Sequence, residues 1–463
     1  MQSIAGLDPV LLARLQFAFT ISFHIVFPAF TIGLSAYIAT LHVLWQRTGR
    51  LHYQSLAHFW TRIFAVSFAM GVVSGIVLSY QFGTNWSRFS VVVGNTIGPL
   101  IGYEVLAAFF LEATFLGVLL FGRERVPPWL HTLSAIIVAA GTATSAFWIL
   151  AANSWMHTPD GFVMRGGIAL PDSWFRIIFN PSFPYRFAHM VTAAYLATAM
   201  VVLATGARYA AQGRFPDEAR VMLKMGLGMV IVLAPLQVAI GDLHGLNTAL
   251  QQPAKIAAIE AHWDGSRPAP LVLLAWPDAH AERNLAEVSI PNAGSLIIRH
   301  DPNGLFPGLK DFPKDERPPV TPVFFAFRLM VGLGLLMLAI ALIGAALWRR
   351  GSLMTTAWFL RPVSRCWTLG FIAIVSGWIV TEVGRQPWLA YGILRTADAA
   401  SPIAPATVAF SLALFVLVYG VVFSIGIVYI RNLIRIGPPG RHVVTEPAQG
   451  LPNRPLSTVE DIR

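Results

Sequence analysis

The chain has 463 residues, 55% of them hydrophobic and 12% charged, with a mean hydropathy of +0.61. Soluble domains carry about 25% charged residues, so a soluble protein is excluded, and several apolar runs exceed the ~20 residues that cross a bilayer. The surplus of Lys+Arg (33) over Asp+Glu (23) lies in loops, without a compact basic patch interleaved with aromatics. It marks cytoplasmic loops and gives no sign of a nucleic-acid partner.

The single cysteine, Cys366, excludes a disulfide, a cysteine-ligated iron–sulfur cluster and Cys-x-x-Cys-His haem attachment. Any metal or haem must be held by His, Met, Glu or Asp. The N-terminus shows neither a basic n-region nor a small-residue cleavage site, so the first span is expected to be retained. Apolar spans follow at residues 12–43, 59–82, 97–121, 130–156, 185–211, 221–241, 323–348, 369–388 and 408–433. An open sheet edge is unsatisfied in lipid, so the expected fold is all-α, a polytopic bundle of about nine transmembrane helices.

Alternate loops are rich in basic residues, among them Arg47 and Arg50, Arg123 and Arg125, and Arg349 and Arg350. The positive-inside rule then puts the N-terminus outside and the C-terminus in the cytoplasm. The chain divides into helices one to six (1–241), an outer loop (242–321), helices seven to nine (322–436) and a polar tail (437–463). The outer loop is proline-rich and too long for a simple turn, which points to a functional loop. Its stretch from Ala254 to Trp263 is expected to form a short amphipathic helix at the membrane interface.

Ionisable residues inside spans are costly and mark function by default. Only His24 and His189 read as deep histidines, and each is either a packed side chain bonded to a carbonyl or a haem ligand. The intramembrane carboxylates are Glu104, Glu112 and Glu382. On a regular helix the first two stand roughly 12 Å apart along the axis and about 80° apart around it, which suits successive stations of a proton path. A structural ion pair with arginine is the competing reading. Arg14, Arg328 and Arg385 fit either propionate partners or snorkelling side chains. Met330 reads as core filler, or with His189 as the second ligand of a low-spin haem. Redox work coupled to protons is the chemistry this set suggests.

Several motifs go further. Gly384-Arg385-Gln386-Pro387-Trp388, Phe82-Gly83-Thr84-Asn85-Trp86-Ser87, Phe110-Leu111-Glu112-Ala113-Thr114-Phe115 and Phe325-Ala326-Phe327-Arg328-Leu329-Met330 resemble subunit I of the cytochrome bd-type quinol oxidases. So do Arg14-Leu15-Gln16-Phe17 and Lys255-Ile256-Ala257-Ala258-Ile259-Glu260, and the resemblance covers nearly the whole chain in matching order. It implies a haem subunit of the bacterial cytoplasmic membrane that oxidises ubiquinol or menaquinol and reduces oxygen to water. It also implies a subunit II partner and leaves room for a small accessory subunit.

By the same resemblance His189 and Met330 are axial ligands of a low-spin haem b, with Arg328 beside it. His24 and Glu382 are ligands of two high-spin haems, a second haem b and either haem d or a third haem b. Glu104 stands at the oxygen site, Glu112, Ser145 and Asn153 on the proton path, and Trp378 between haems. Lys255 and Glu260 hydrogen-bond the quinol, Arg14 and Arg385 serve as cofactor-side cations, and the proton gradient arises without pumping.

The outer loop lacks the insertion that long-loop members carry before Pro322-Val323-Phe324, and Ile21-Ser22-Phe23-His24-Ile25-Val26-Phe27-Pro28-Ala29-Phe30 is similar to the cyanide-insensitive branch. Two other classes compete. A haem–copper oxidase needs more deep histidines than two, and a proton-coupled secondary transporter would use the same carboxylates but often shows related halves, which are absent here.

Overall fold

The structure, a computed structural model, describes residues 8–439. Fifteen α-helices are present among them: α1 (Pro9–Thr48), α2 (Leu51–Thr84), α3 (Ser87–Tyr103), α4 (Phe110–Phe121), α5 (Pro128–His157), α6 (Trp174–Ile178), α7 (Phe183–Ala211), α8 (Pro216–Gln251), α9 (Pro253–Glu260), α10 (Ala293–Arg299), α11 (Val320–Arg349), α12 (Ala357–Val363), α13 (Leu369–Val383), α14 (Thr396–Ala399) and α15 (Pro405–Ile436). A π-helical turn, Glu104–Phe109, joins α3 to α4. The strands are three short hairpins: β1 (Phe162–Arg165) with β2 (Ile168–Pro171), β3 (Leu271–Asp278) with β4 (Arg283–Ile290), and β5 (Trp388–Ala390) with β6 (Leu394–Arg395). Nine helical segments among the described residues are long and apolar enough to cross a membrane, with α3, the π turn and α4 counted as one. The fold is an all-α polytopic bundle.

Local chemistry sets the helix ends. Asp8 caps α1 by accepting from Val10 N at 2.9 Å, and Pro9 starts the helix where its missing N–H is no loss. Gly49, at φ 67°, closes α1 by donating to Trp45 O. At forty residues α1 is about 60 Å long, well beyond the ~30 Å hydrocarbon core.

Three expectations need correction. The sixth span runs to Gln251, ten residues past position 241, because its last turns pack against α9 and α10 and are not released as loop. The eighth helix stops at Val383 and does not reach position 388. Pro387 has no N–H to continue the ladder, and Trp388 is already paired in β5. The stretch from Ala254 is helical but presents no exposed polar face, since Lys255 through Glu260 are all buried. The β3–β4 hairpin, α11 and α13 cover it, with Ile256, Ala257, Ile259, Val272, Phe324 and Val380 in one cluster.

The most extensive helix–helix seam among the described residues is α7 against α8. A Cβ at Gly206 would come within 2.8 Å of Leu223 N, and one at Gly226 within 2.8 Å of Leu203 N. Small residues allow this backbone approach, which replaces the hydrophobic drive that lipid cannot supply. Gly226→Val is expected to force the helices apart and destabilise the protein by roughly 1–3 kcal/mol. Thermal unfolding in detergent checks this; an unchanged midpoint would mean that the seam does not limit stability.

Candidate functional site

One cavity of about 1680 Å³ runs through the bundle, larger than the ~300–1,000 Å³ of a single-ligand pocket. Its wall is mainly apolar, and every site residue expected from the sequence lines it. These are Arg14, His24, Glu104, Glu112, Ser145, Asn153, His189, Lys255, Glu260, Arg328, Met330, Trp378, Glu382 and Arg385. They come from α1, α4, α5, α7, α9, α11, α13 and the flanking turns, so only the tertiary fold brings them together.

Glu382, on the last turn of α13, is the hub of the end nearest α9. Asn153 Nδ2 donates to its Oε1 at 2.8 Å, Arg385 pairs with its Oε2, and His157 Nε2 lies 3.5 Å from Oε1. Lys255 Nζ donates to Thr381 O at 2.9 Å. Burial, reinforced by Arg186, holds Lys255 well below the usual ammonium range; Glu382 opposes the shift and Arg385 adds to it. Arg385 thus pairs with the carboxylate, and two further buried basic side chains, Arg186 and Lys255, are close enough to feel its charge. Arg186 Nε and Arg385 Nε and Nη1 are buried without hydrogen-bond partners.

Glu260 and Arg328 form a second unit. Arg328 Nη2 lies 2.6 Å from Glu260 Oε2, its Nε donates to Val272 O at 3.0 Å, and its guanidinium sits 4.6 Å from the centre of the Phe324 ring. The pair ties α11 to α9 and β3. Arg328 is therefore engaged by protein groups as well as facing the cavity.

His189 Nε2 lies 3.1 Å from Gln237 Nε2, while its Nδ1 is buried and unpartnered. The His244 ring stands edge-on to it with centroids 5.3 Å apart. Met330 Sδ lies 2.9 Å from the place of a Cβ on Gly377, so only glycine there leaves room for the thioether. About 22 Å along α1 from its start, His24 contacts Ser74 Oγ through Nδ1 at 3.0 Å. Trp378 packs against Phe17 with centroids 6.1 Å apart, and Arg14 is exposed at the cavity rim.

Glu104 accepts from Ser145 Oγ at 2.8 Å. Glu112 Oε1 is buried without a partner, and its Cγ lies 2.7 Å from where a Cβ on Gly141 would stand. The expected 80° offset between the two carboxylates assumed a regular helix and does not hold, because the intervening residues form a π turn. Such turns are rare and concentrate at functional sites.

Sequence reading missed four residues of this wall or its backing. Arg186 precedes His189 by one helical turn, a spacing that could have flagged it. His157 ends α5 fully buried, and His244 lies in the turns of α8 beyond the expected span end. Gln237 carried no signal. His42, His131 and His157 are also buried, toward the ends of α1 and α5.

Residues 12–438 match the family described as cytochrome bd terminal oxidase subunit I. The chain belongs to that family. It is 33% identical to the cytochrome bd-II ubiquinol oxidase subunit 1 of Escherichia coli over 502 aligned positions, covering 93% of this chain and 97% of that one. It is 34% identical to the cytochrome bd ubiquinol oxidase subunit 1 of Bacillus subtilis, covering 90% and 91% respectively. Its fold superposes on the bd oxidase of Geobacillus thermodenitrificans with a TM-score of 0.86 at 32% identity, over 94% of this chain and all of that one. Membership in an oxidase family makes an oxidoreductase role the supported one and sets aside the transporter alternative.

The residues present fit haem. No cluster of three or more His, Cys, Asp or Glu side chains able to cage a bare metal ion occurs among the described residues. A macrocycle that brings its own equatorial nitrogens needs only one or two side-chain donors per iron. The surplus of buried basic groups with unpartnered N–H groups suits propionate carboxylates, which would satisfy both their charge and their hydrogen bonds.

Proposed function

We propose that this chain is the haem-bearing subunit I of a terminal respiratory oxidase in the bacterial cytoplasmic membrane, oxidising ubiquinol or menaquinol and reducing oxygen to water. The N-terminus lies outside and the C-terminus in the cytoplasm. A subunit II completes the enzyme, with room for a small accessory subunit. The observation that carries this reading is that all the candidate iron donors, carboxylates and cations line one largely apolar cavity.

His189 and Met330 would hold a low-spin haem b, and His24 and Glu382 the two high-spin haems, the third being haem d or haem b. When bound, haem supplies the one-electron redox chemistry at iron that amino-acid side chains lack. The protein's own part is binding, charge and protons. Lys255 and Glu260 present a donor and an acceptor to the quinol hydroxyls, exchanging Thr381 O and Arg328 for them as partners. Trp378 fills the space between cofactor positions, and Arg14 and Arg385 neutralise carboxylates. Glu112 takes protons from the cytoplasmic side and hands them toward Glu104, where Ser145 holds the carboxylate. Two quinols give four electrons and release four protons outside, and one oxygen molecule takes four electrons and four cytoplasmic protons to form two waters. The gradient follows from those two sides, with no pumping step.

The short-loop, cyanide-insensitive subtype rests on the sequence alone, on the outer loop that lacks the insertion before Pro322 and on the segment from Ile21 to Phe30.

The test is a reduced-minus-oxidised absorption spectrum of membranes carrying the chain with its partner subunit. Haem bands are expected, with the long-wavelength band distinguishing haem d from a third haem b. His189→Ala should remove the low-spin band and lower quinol oxidase activity at least a hundredfold. Loss of that band with full activity retained would overturn the assignment.

A further inference from the structure

We infer that Ser74 is a positioning residue that fixes the tautomer of His24, so that its Nε2 lone pair is the one offered to iron. The inference rests on reading His24 as a haem ligand and deepens that reading. Ser74 lies on α2 with none of its surface exposed. Its Oγ stands 3.0 Å from Met70 O and 2.9 Å from Gly71 O, one turn back on its own helix. Across the α1–α2 seam the same atom stands 3.0 Å from His24 Nδ1.

A hydroxyl has one hydrogen and two lone pairs. With that one hydrogen shared between the two carbonyls of its own helix, Oγ is left to accept from the imidazole, which puts the hydrogen on Nδ1. A neutral imidazole protonated there keeps its lone pair on Nε2. Metal ions take imidazole through an unprotonated nitrogen, and His24 lines the cavity. Were Ser74 to donate instead, the hydrogen would sit on Nε2 and a donor would be offered to the metal.

The next residue supplies the room. A Cβ at Gly75 would come within 3.2 Å of His24 Cε1 and 3.8 Å of Nδ1. The Ser74-Gly75 pair therefore gives the ring an anchor and a space in consecutive positions. A hydrogen bond accepted from the far nitrogen also makes the imidazole a stronger base, and such outer partners commonly change metal affinity or activity 10–100-fold. A more basic ligand favours ferric over ferrous iron, so losing the bond should raise the midpoint potential.

The experiment uses the intact oxidase, purified with its partner subunit, and compares redox titrations of the high-spin absorption in wild type, Ser74→Ala and His24→Ala. In Ser74→Ala the high-spin signal is expected to persist with the ferric-to-ferrous equilibrium shifted about tenfold, about 59 mV upward for a one-electron couple. Ser74→Thr, which keeps the hydroxyl, should restore the wild-type potential. The low-spin absorption in the same sample reports folding. Should Ser74→Ala lose it, Ser74→Cys gives the reading instead, with similar size and a much weaker acceptor. A high-spin signal unchanged in His24→Ala overturns the ligand reading itself. A signal lost in His24→Ala together with an unmoved potential in Ser74→Ala overturns the role of Ser74 alone.

Discussion

Glu382→Ala is expected to abolish one high-spin haem signal, lower oxidase turnover more than a hundredfold, and destabilise the protein by about 3–5 kcal/mol. The two losses have different causes. Stability falls because Arg385, at 3% exposed, loses its carboxylate while Arg186 and Lys255 remain buried nearby. An uncompensated buried charge is far worse than a missing pair. The haem signal falls because the carboxylate is the proposed iron donor.

A double variant separates these causes. Glu382→Gln combined with Arg385→Gln removes one charge of each sign and keeps an oxygen able to accept from Asn153. If Glu382 serves only as a counter-charge, the double variant should regain both stability and spectrum. If it binds iron, the thermal midpoint returns toward wild type while the high-spin absorption stays absent. Recovery of that absorption in the double variant would rule out the ligand role.

The spans were legible because hydropathy reads lipid contact directly, and helices are the solution that satisfies their own backbone there. Tertiary packing was less legible. Lys255-Ile256-Ala257-Ala258-Ile259-Glu260 has two charged ends around an apolar middle, which in isolation suits an interface. The hairpin that buries it begins only at Leu271 and makes the same pattern a core element. The π turn after Tyr103 left no mark in the periodicity, so the helical geometry drawn between Glu104 and Glu112 was wrong. His157 escaped because the expected span ended one residue before it, which put a buried histidine in a loop. The roles proposed for His24, His189 and Met330 came from motif resemblance, since an imidazole or thioether in an apolar run does not by itself say what it binds.

Glu260→Ala should act on the outer segment more than on the bundle. Glu260 is 2% exposed, and its partner Arg328 also holds Val272 O, so one guanidinium joins α9 and β3 to α11. Without the carboxylate that guanidinium remains largely buried with a backbone oxygen and the Phe324 face as its neighbours, again a penalty of about 3–5 kcal/mol. The lowest-energy escape is local opening of the segment, because β4 is almost wholly exposed and adds little burial to resist it. Protease cleavage within residues 271–290 should therefore accelerate, and KM for quinol should rise at least tenfold while the low-spin haem spectrum persists. Arg328→Lys should fall between wild type and Glu260→Ala, since a single ammonium cannot serve Glu260 and Val272 O in the geometry of the planar fork. Glu260→Ala with Arg328→Ala should cost less stability than Glu260→Ala alone, because removing both partners leaves no buried charge behind. A quinol KM unchanged in Glu260→Ala, with cleavage accelerated, would confine the pair to holding the segment down and remove Glu260 from quinol binding.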